Sequence, residues 1–306
     1  MTHRVLVVAD AGPDSGLGHL SRSTAVAVAL HVRGFVPTCF ANGALEPIER
    51  DGIRWLPLDE RDSLPPGEEI AAIVLDSYRI VLREPPNVLL AVLQERTESP
   101  PGAALVVNAG GDPVEGGKRR LYGPAYACLR PSFWGLPAAT PRELVERVVV
   151  TTGAGDPGGV GSALVGAVHD AIPAARITVV RGPFAPSAEL PDARIVHSPE
   201  SLLPLLLEAD LVVTAGGQTM LEAAAAGTPT VALALVENQE AQAQRLASLG
   251  AVRLASLESL AVVLSELAAD RDDRRRLGER AQTAVDGYGA LRVAFAIARL
   301  IQPDGA

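Results

Sequence analysis

The feature that most limits what this chain can become is a unit that recurs along it: a continuous apolar run, a glycine-rich loop, and an alanine-rich stretch of helical length. The first copy is an apolar run over 5–9 closed by Asp10, a loop reaching Gly18, and a helix over 19–33 stopped by Gly34. The second is a strand over 148–152, the loop Gly153-Ala154-Gly155-Asp156-Pro157, and a helix over 160–172. A strand that is apolar along its whole length is buried on both faces, which a parallel sheet flanked by helices provides. The pattern therefore predicts an α/β chain of two doubly wound domains.

The remaining punctuation fits that reading. Further strands are expected over 35–40, 53–56, 73–75 and 104–107, with a helix near 87–95 between the last two. A stretch punctuated by proline and glycine over 130–141 marks the interdomain linker. Beyond it come strands over 176–180 and 193–196 and a helix over 201–208. A strand over 211–214, the loop Ala215-Gly216-Gly217, a helix over 218–226, a strand over 230–235 and a helix over 237–249 follow, and residues 257–301 read as three helices. The expected domains are 1–135 and 136–285, with 286–306 as a closing helical segment. A chain of 306 residues has room for two cores of this size.

Charge and composition narrow the function. A net charge of -9 argues against a broad basic face for nucleic acid, so any phosphate must be held locally. Lys118 is the only lysine. Cys39 and Cys128 are the only cysteines, too few for a disulfide framework or a cysteine metal cluster. No apolar run approaches the roughly 18 residues that span a bilayer. The N-terminus leads straight into the first strand, so no signal peptide is read and a soluble cytoplasmic protein is expected.

The candidate chemistry is carried by loops at the ends of the strands. Gly216-Gly217-Gln218-Thr219 joins an apolar strand to a helix, and the unpaired N–H groups and positive end of that helix suit a diphosphate without any lysine. Glu222, one turn further in, is placed either to accept the two hydroxyls of a ribose or simply to favour the helix dipole. Glu237-Asn238-Gln239, at the end of the next strand, either reads sugar hydroxyls or is an ordinary polar helix start. In the first half, Gly16 and Gly18 precede His19 at a helix start, where a positioned neutral imidazole can deprotonate a hydroxyl, an amide or water; a solvated histidine is the plain alternative. Asp156 is either a second phosphate contact or a helix cap. Arg181 ends its strand where a guanidinium can meet a diphosphate or a base, and His197 and Ser198 are softer candidates for the base. Gly16-Leu17-Gly18-His19-Leu20-Ser21 lacks the third glycine of a dinucleotide fingerprint, and no acid ends the following strand. GK[ST], HExxH and GxSxG motifs are also missing, so neither a metal nor a cofactor is expected.

In combination these pieces resemble the GT-B glycosyltransferase superfamily, and within it the UDP-sugar hydrolases of pseudaminic acid synthesis and the related spore-coat polysaccharide proteins. The resemblance is carried by the GxGHxxR loop that ends at Arg22, by Asp76-Ser77-Tyr78, by 123–133, by Gly153-Ala154-Gly155-Asp156-Pro157, by 215–222 and by Glu237-Asn238-Gln239. It implies two Rossmann-like domains facing a cleft and a helix over 291–301 crossing back to the first. It also implies a UDP-sugar held mainly by the second domain, His19 as catalytic base, Tyr78 lining the sugar pocket, Gly216 to Thr219 on the diphosphate and Glu222 on the ribose.

The chain departs from the hydrolases at Val107-Asn108-Ala109-Gly110-Gly111, where they carry paired acids, so their substrate is not carried over. The expected activity is sugar transfer from UDP to a small acceptor, such as a nucleobase in a reaction resembling cytosylglucuronate synthesis. A hydrolase delivering water, and a non-catalytic nucleotide-sugar-binding subunit, are the alternatives. Partners are small molecules in each case, and the oligomeric state is open.

Overall fold

In a computed structural model, the described residues are 3–13, 15–58, 70–80, 88–93, 102–111, 119–187, 190 and 192–302. The chain divides into two compact units, Met1–Trp134 with Tyr288–Ala306, and Gly135–Gly287. In chain order the elements up to Trp134 are β1 (Arg4–Asp10), α1 (Gly18–Val32), β2 (Val36–Asn42), β3 (Ile48–Arg50), β4 (Ile53–Leu58), β5 (Ile70–Asp76), β6 (Leu89–Leu93), β7 (Ala103–Asn108) and β8 (Arg119–Tyr122). The second unit contributes β9 (Arg147–Thr151), α2 (Gly161–Ala171), β10 (Arg176–Arg181), β11 (Ala193–His197), α3 (Leu203–Glu208), β12 (Leu211–Ala215), α4 (Gln218–Ala226), β13 (Thr230–Leu233), α5 (Glu237–Ser248), β14 (Arg253–Leu254), α6 (Leu260–Ala269) and α7 (Arg271–Ala284). The closing helix α8 (Gly289–Ile301) belongs to the first unit.

The first unit is an eight-stranded sheet in the order β3-β4-β2-β1-β5-β6-β7-β8. Its pairs are parallel except β3 with β4, a hairpin closed by Asp51-Gly52. Residues alternate between two cores as a strand's period of two requires. Val5, Val7 and Ala9 of β1 join Ala25, Val26 and Leu30 of α1 and Val293, Ala294 and Ile297 of α8 on one side. Leu6 and Val8 join Ile73, Leu75, Val92 and Val106 on the other. Gly289 opens α8 because the helix meets the chain at Ala127: a Cβ there would collide with the carbonyls of Tyr126 and Ala127.

The helix expected near 87–95 is overturned for its central residues. Leu89–Leu93 is the strand β6, parallel to both β5 and β7. Periodicity cannot separate a short, fully apolar run from a buried helix, and here burial between two strands decides it. Residues 87, 94 and 95 of that expectation lie outside the described residues. The short strands β3 and β8 carry no such apolar run and were not foreseen.

The second unit is a six-stranded, wholly parallel sheet in the order β11-β10-β9-β12-β13-β14. Leu164, Val165 and Val168 of α2 and Leu260, Leu264 and Leu267 of α6 pack with Val148, Val150, Val213 and Val231 in one core. Arg274, 1 % exposed, ties α7 to the start of the unit by donating to the carbonyls of Leu267, Ala268, Arg142 and Glu143 at 2.7, 2.8, 3.0 and 2.8 Å.

In both sheets the chain winds outward in both directions from a central pair, β1 with β5 and β9 with β12. The loops leaving the C-terminal ends of such a pair diverge to opposite faces, and the crevice they leave is where open α/β sheets take ligands.

Candidate functional site

The first group of site residues lies at the β1/β5 switch point. After β1 the chain makes a tight loop in which Gly16 N–H donates to Gly12 carbonyl at 2.7 Å. Gly16 has φ of 69°, the left-handed region that favours glycine. Gly18 then opens α1 and His19 occupies its second position. His19 and Arg22, three apart, share one helix face and meet the end of β5.

There the side chains converge on Asp76, which is fully buried. His19 Nδ1 lies 2.6 Å from Asp76 Oδ1. Arg22 donates from Nε to Oδ2 at 2.6 Å and from Nη2 to Oδ1 at 2.7 Å, and Ser23 Oγ donates to Oδ2 at 3.0 Å. Burial pushes the Asp76 carboxyl up, but Arg22 and His19 together outweigh it and hold the group at about 2. An ionised oxygen at 2.6 Å from Nδ1 requires that nitrogen to carry the proton, so in the neutral ring Nε2 is the acceptor. Tyr78 stands edge-on to His19, with ring centroids 4.6 Å apart.

Asp10, at the end of β1, has a different task. Also fully buried, it accepts from Asn42 Nδ2 at 2.9 Å, Ser77 Oγ at 2.7 Å and Tyr78 N–H at 2.8 Å. It thereby fixes the segment that carries Asp76 and Tyr78. The structure thus brings His19 and Tyr78 together with Gly16 and Gly18 behind them, and adds Asp76 and Arg22. Both of these stand in the quoted motifs, yet sequence alone gave them no role, because 54 positions separate the partners.

The second group lies at the β9/β12 switch point. Gly216 follows β12 and Gly217 caps α4, so Gln218 and Thr219 form its first turn. Gln242 of α5, buried, donates from Nε2 to the carbonyls of Gly216 at 3.1 Å and Gly217 at 3.4 Å. A Cβ on Gly216 would stand 3.1 Å from that of Ala243 and 3.2 Å from that of Gln239. The glycine therefore eases the close approach of α5, besides any ligand. Glu222 is buried on α4 at 6 % exposure. Of the α5 residues, Glu237 and Asn238 are exposed, while Gln239 Oε1 accepts from Leu235 N–H at 3.1 Å and so shapes the strand-to-helix turn.

On the same sheet, a small open pocket is lined by Thr151, Asp156, Gly161, Arg181 and Pro186 among others. Arg181 is buried. Both Asp156 carboxylate oxygens lie 3.2 Å from Gly161 N–H, so the side chain caps α2. Gly182, not foreseen from the sequence, lets the end of β10 touch the Gly153-Ala154 loop, where any Cβ would collide with backbone. His197 and Ser198 are exposed, and Ser198 has φ of 40°.

The described helices include none long and apolar enough to cross a membrane. No protein-family model matches the sequence. The spore coat polysaccharide biosynthesis protein SpsG of Bacillus subtilis is 27 % identical over 209 residues, covering 62 % of this chain. The match spans 61 % of the length of SpsG. Among solved structures, the spinosyn forosaminyltransferase SpnP has a TM-score of 0.67 at 14 % identity, covering 98 % of this chain and 100 % of SpnP. Acinetobacter baumannii MurG gives 0.63 at 14 % identity, again over 98 % and 100 %. The spinosyn rhamnosyltransferase SpnG, in complex with thymidine diphosphate, gives 0.61 at 16 % identity over 98 % and 100 %. The chain has the GT-B fold of these glycosyltransferases.

Proposed function

We propose that the protein transfers a sugar from a pyrimidine nucleoside diphosphate, with UDP as the expected carrier, to a small acceptor, and that His19 is the general base. The observation that carries this reading is the His19–Asp76 contact at 2.6 Å. A carboxylate fixed on Nδ1 sets the tautomer and leaves Nε2 to take a proton from an acceptor hydroxyl, amide or ring nitrogen. As the acceptor atom loses its proton to Nε2, it bonds to the anomeric carbon. The bond from that carbon to the diphosphate oxygen breaks, the configuration inverts, and the nucleoside diphosphate leaves.

The second unit supports the other half of the reaction. Gln242 engages the carbonyls of the Gly216-Gly217 turn and Gly216 N–H donates to Leu233 carbonyl at 2.9 Å, so a diphosphate at this turn would meet the N–H groups that follow Gly216, at the positive end of α4. Those dipoles also favour the charge that builds on the leaving group. Glu222, one turn into α4, is the proposed ribose ligand, and Arg181 a proposed contact to the diphosphate or the base. SpnG's thymidine diphosphate and the role of SpsG in making a polysaccharide agree in kind with a nucleotide-sugar donor.

The test is mass spectrometry of products from a panel of UDP- and dTDP-sugars, with and without a pool of small acceptors that includes pyrimidine bases. A conjugate formed only with acceptor supports transfer. Free sugar and nucleoside diphosphate without acceptor would replace transfer by hydrolysis, and no turnover with retained nucleotide binding would replace catalysis by a binding role.

A further inference from the structure

Asp76 is engaged by more positive charge than an orienting carboxylate needs. Its Oδ1 receives both His19 Nδ1 at 2.6 Å and Arg22 Nη2 at 2.7 Å, and its Oδ2 receives Arg22 Nε at 2.6 Å and Ser23 Oγ at 3.0 Å. Arg22 Nη2 and His19 Nδ1 lie 3.1 Å apart. Both atoms carry protons directed at one oxygen, so this approach is two donors sharing an acceptor and not a bond between them.

We infer that Arg22 is a positioning residue for the proposed transfer: as the standing counter-ion of Asp76, it lets the buried carboxylate stay ionised while His19 is neutral. The inference rests on the reading of His19 as base. In a histidine–carboxylate pair sealed from water, an unpaired negative charge is costly, and protonating the imidazole is the simplest way to balance it. A protonated imidazole cannot act as a base. The two-bond guanidinium fork balances the charge instead and holds the carboxylate plane, so that Oδ1 stays aimed at Nδ1.

The neighbours leave Arg22 in this role. On β5 and the segment after it, His19 meets the Asp76 carboxylate and the ring of Tyr78. Asp10 spends its carboxylate on Asn42, Ser77 and Tyr78. Cys128, within the field of Arg22 and Asp76, is a buried thiol pushed up to about 12 and stays uncharged. On α1, Arg22 is the charged group that reaches both His19 and Asp76.

The experiment compares wild type, R22M, R22K and H19A for kcat, donor KM and the pH profile of kcat, alongside ¹⁵N NMR of the His19 ring. R22M should lower kcat by about tenfold or more, less than the ~10²–10⁴ expected on losing the base, with donor KM unchanged. Its acid limb should move to higher pH, because His19 is then the cation left against Asp76 among the described residues, and the ring spectrum should report the imidazolium persisting to the same higher pH. R22K, which restores charge without the fork, should return the limb toward wild type more than it returns kcat. A wild-type limb and ring titration in folded R22M, with H19A inactive, would overturn the role of Arg22 and leave the base intact. Active H19A would instead remove the reading on which the inference stands.

Discussion

Asp10 and Asp76 end the neighbouring strands β1 and β5, and both are fully buried, yet they hold opposite kinds of partner. Asp10 is surrounded by an amide, a hydroxyl and a backbone N–H, whereas Asp76 is clasped by a guanidinium and an imidazole. The first arrangement builds a loop and the second holds a proton donor and acceptor in register. Replacing each acid by its amide should separate the two jobs.

D76N keeps the shape but removes the charge that Asp76 sets against the Arg22 guanidinium, 12 % exposed at its side chain. Breaking a buried pair in this way costs about 3–5 kcal/mol, and an amide oxygen or nitrogen no longer specifies Nδ1–H. The expected result is a lowered unfolding midpoint together with a loss of kcat of ~10² or more, measured by thermal melts and turnover. D10N should lower stability with a smaller effect on kcat.

Acid should act through the same carboxylate. The folded value of Asp76 is depressed from 3.8 to about 2, so the folded state binds fewer protons than the unfolded chain in that interval. Its stabilisation is complete above about pH 4 and is lost as the pH falls toward 2. Urea titrations across this range should show the slope diminished in D76N relative to wild type.

In the second unit, E222Q tests the ribose assignment. Hydrogen bonds to a charged acceptor are worth about 1.5–3 kcal/mol, so nucleoside diphosphate affinity should fall by roughly 10- to 100-fold by calorimetry, with the fold retained. Unchanged affinity would assign Glu222 to the helix alone.

Gly216→Ala tests the approach of α5. Its Cβ would press on Gln239 and Ala243 at 3.2 and 3.1 Å, and overpacking of this kind costs about 1–3 kcal/mol. Both the unfolding midpoint and nucleotide affinity should decline. R274M offers the contrast: four carbonyls lose their donor, and the unit should melt earlier while nucleotide affinity at low temperature is kept.

Much of this was legible in the residue order. Apolar runs closed by glycine loops located β1, β9 and β12, because a parallel strand buried on both faces leaves an uninterrupted signature. His19 was found as a histidine at a helix start after glycines. Its partner was not, since the contact with Asp76 depends on β5 lying beside β1, a pairing that no local pattern encodes. Leu89–Leu93 was read with the wrong period because five apolar residues fit either a helix or a strand. Gly216 and Gln239 were read as ligand contacts, whereas packing against α5 and a backbone bond account for part of what they do. Such tasks appear only when the helix is in place.

The central claim is that His19 moves the proton, and single-turnover kinetics of H19A with parallel measurement of nucleotide affinity test it most directly. The rate should fall by about 10²–10⁴ at unchanged affinity. Turnover within about tenfold of wild type, at the same affinity, would contradict it.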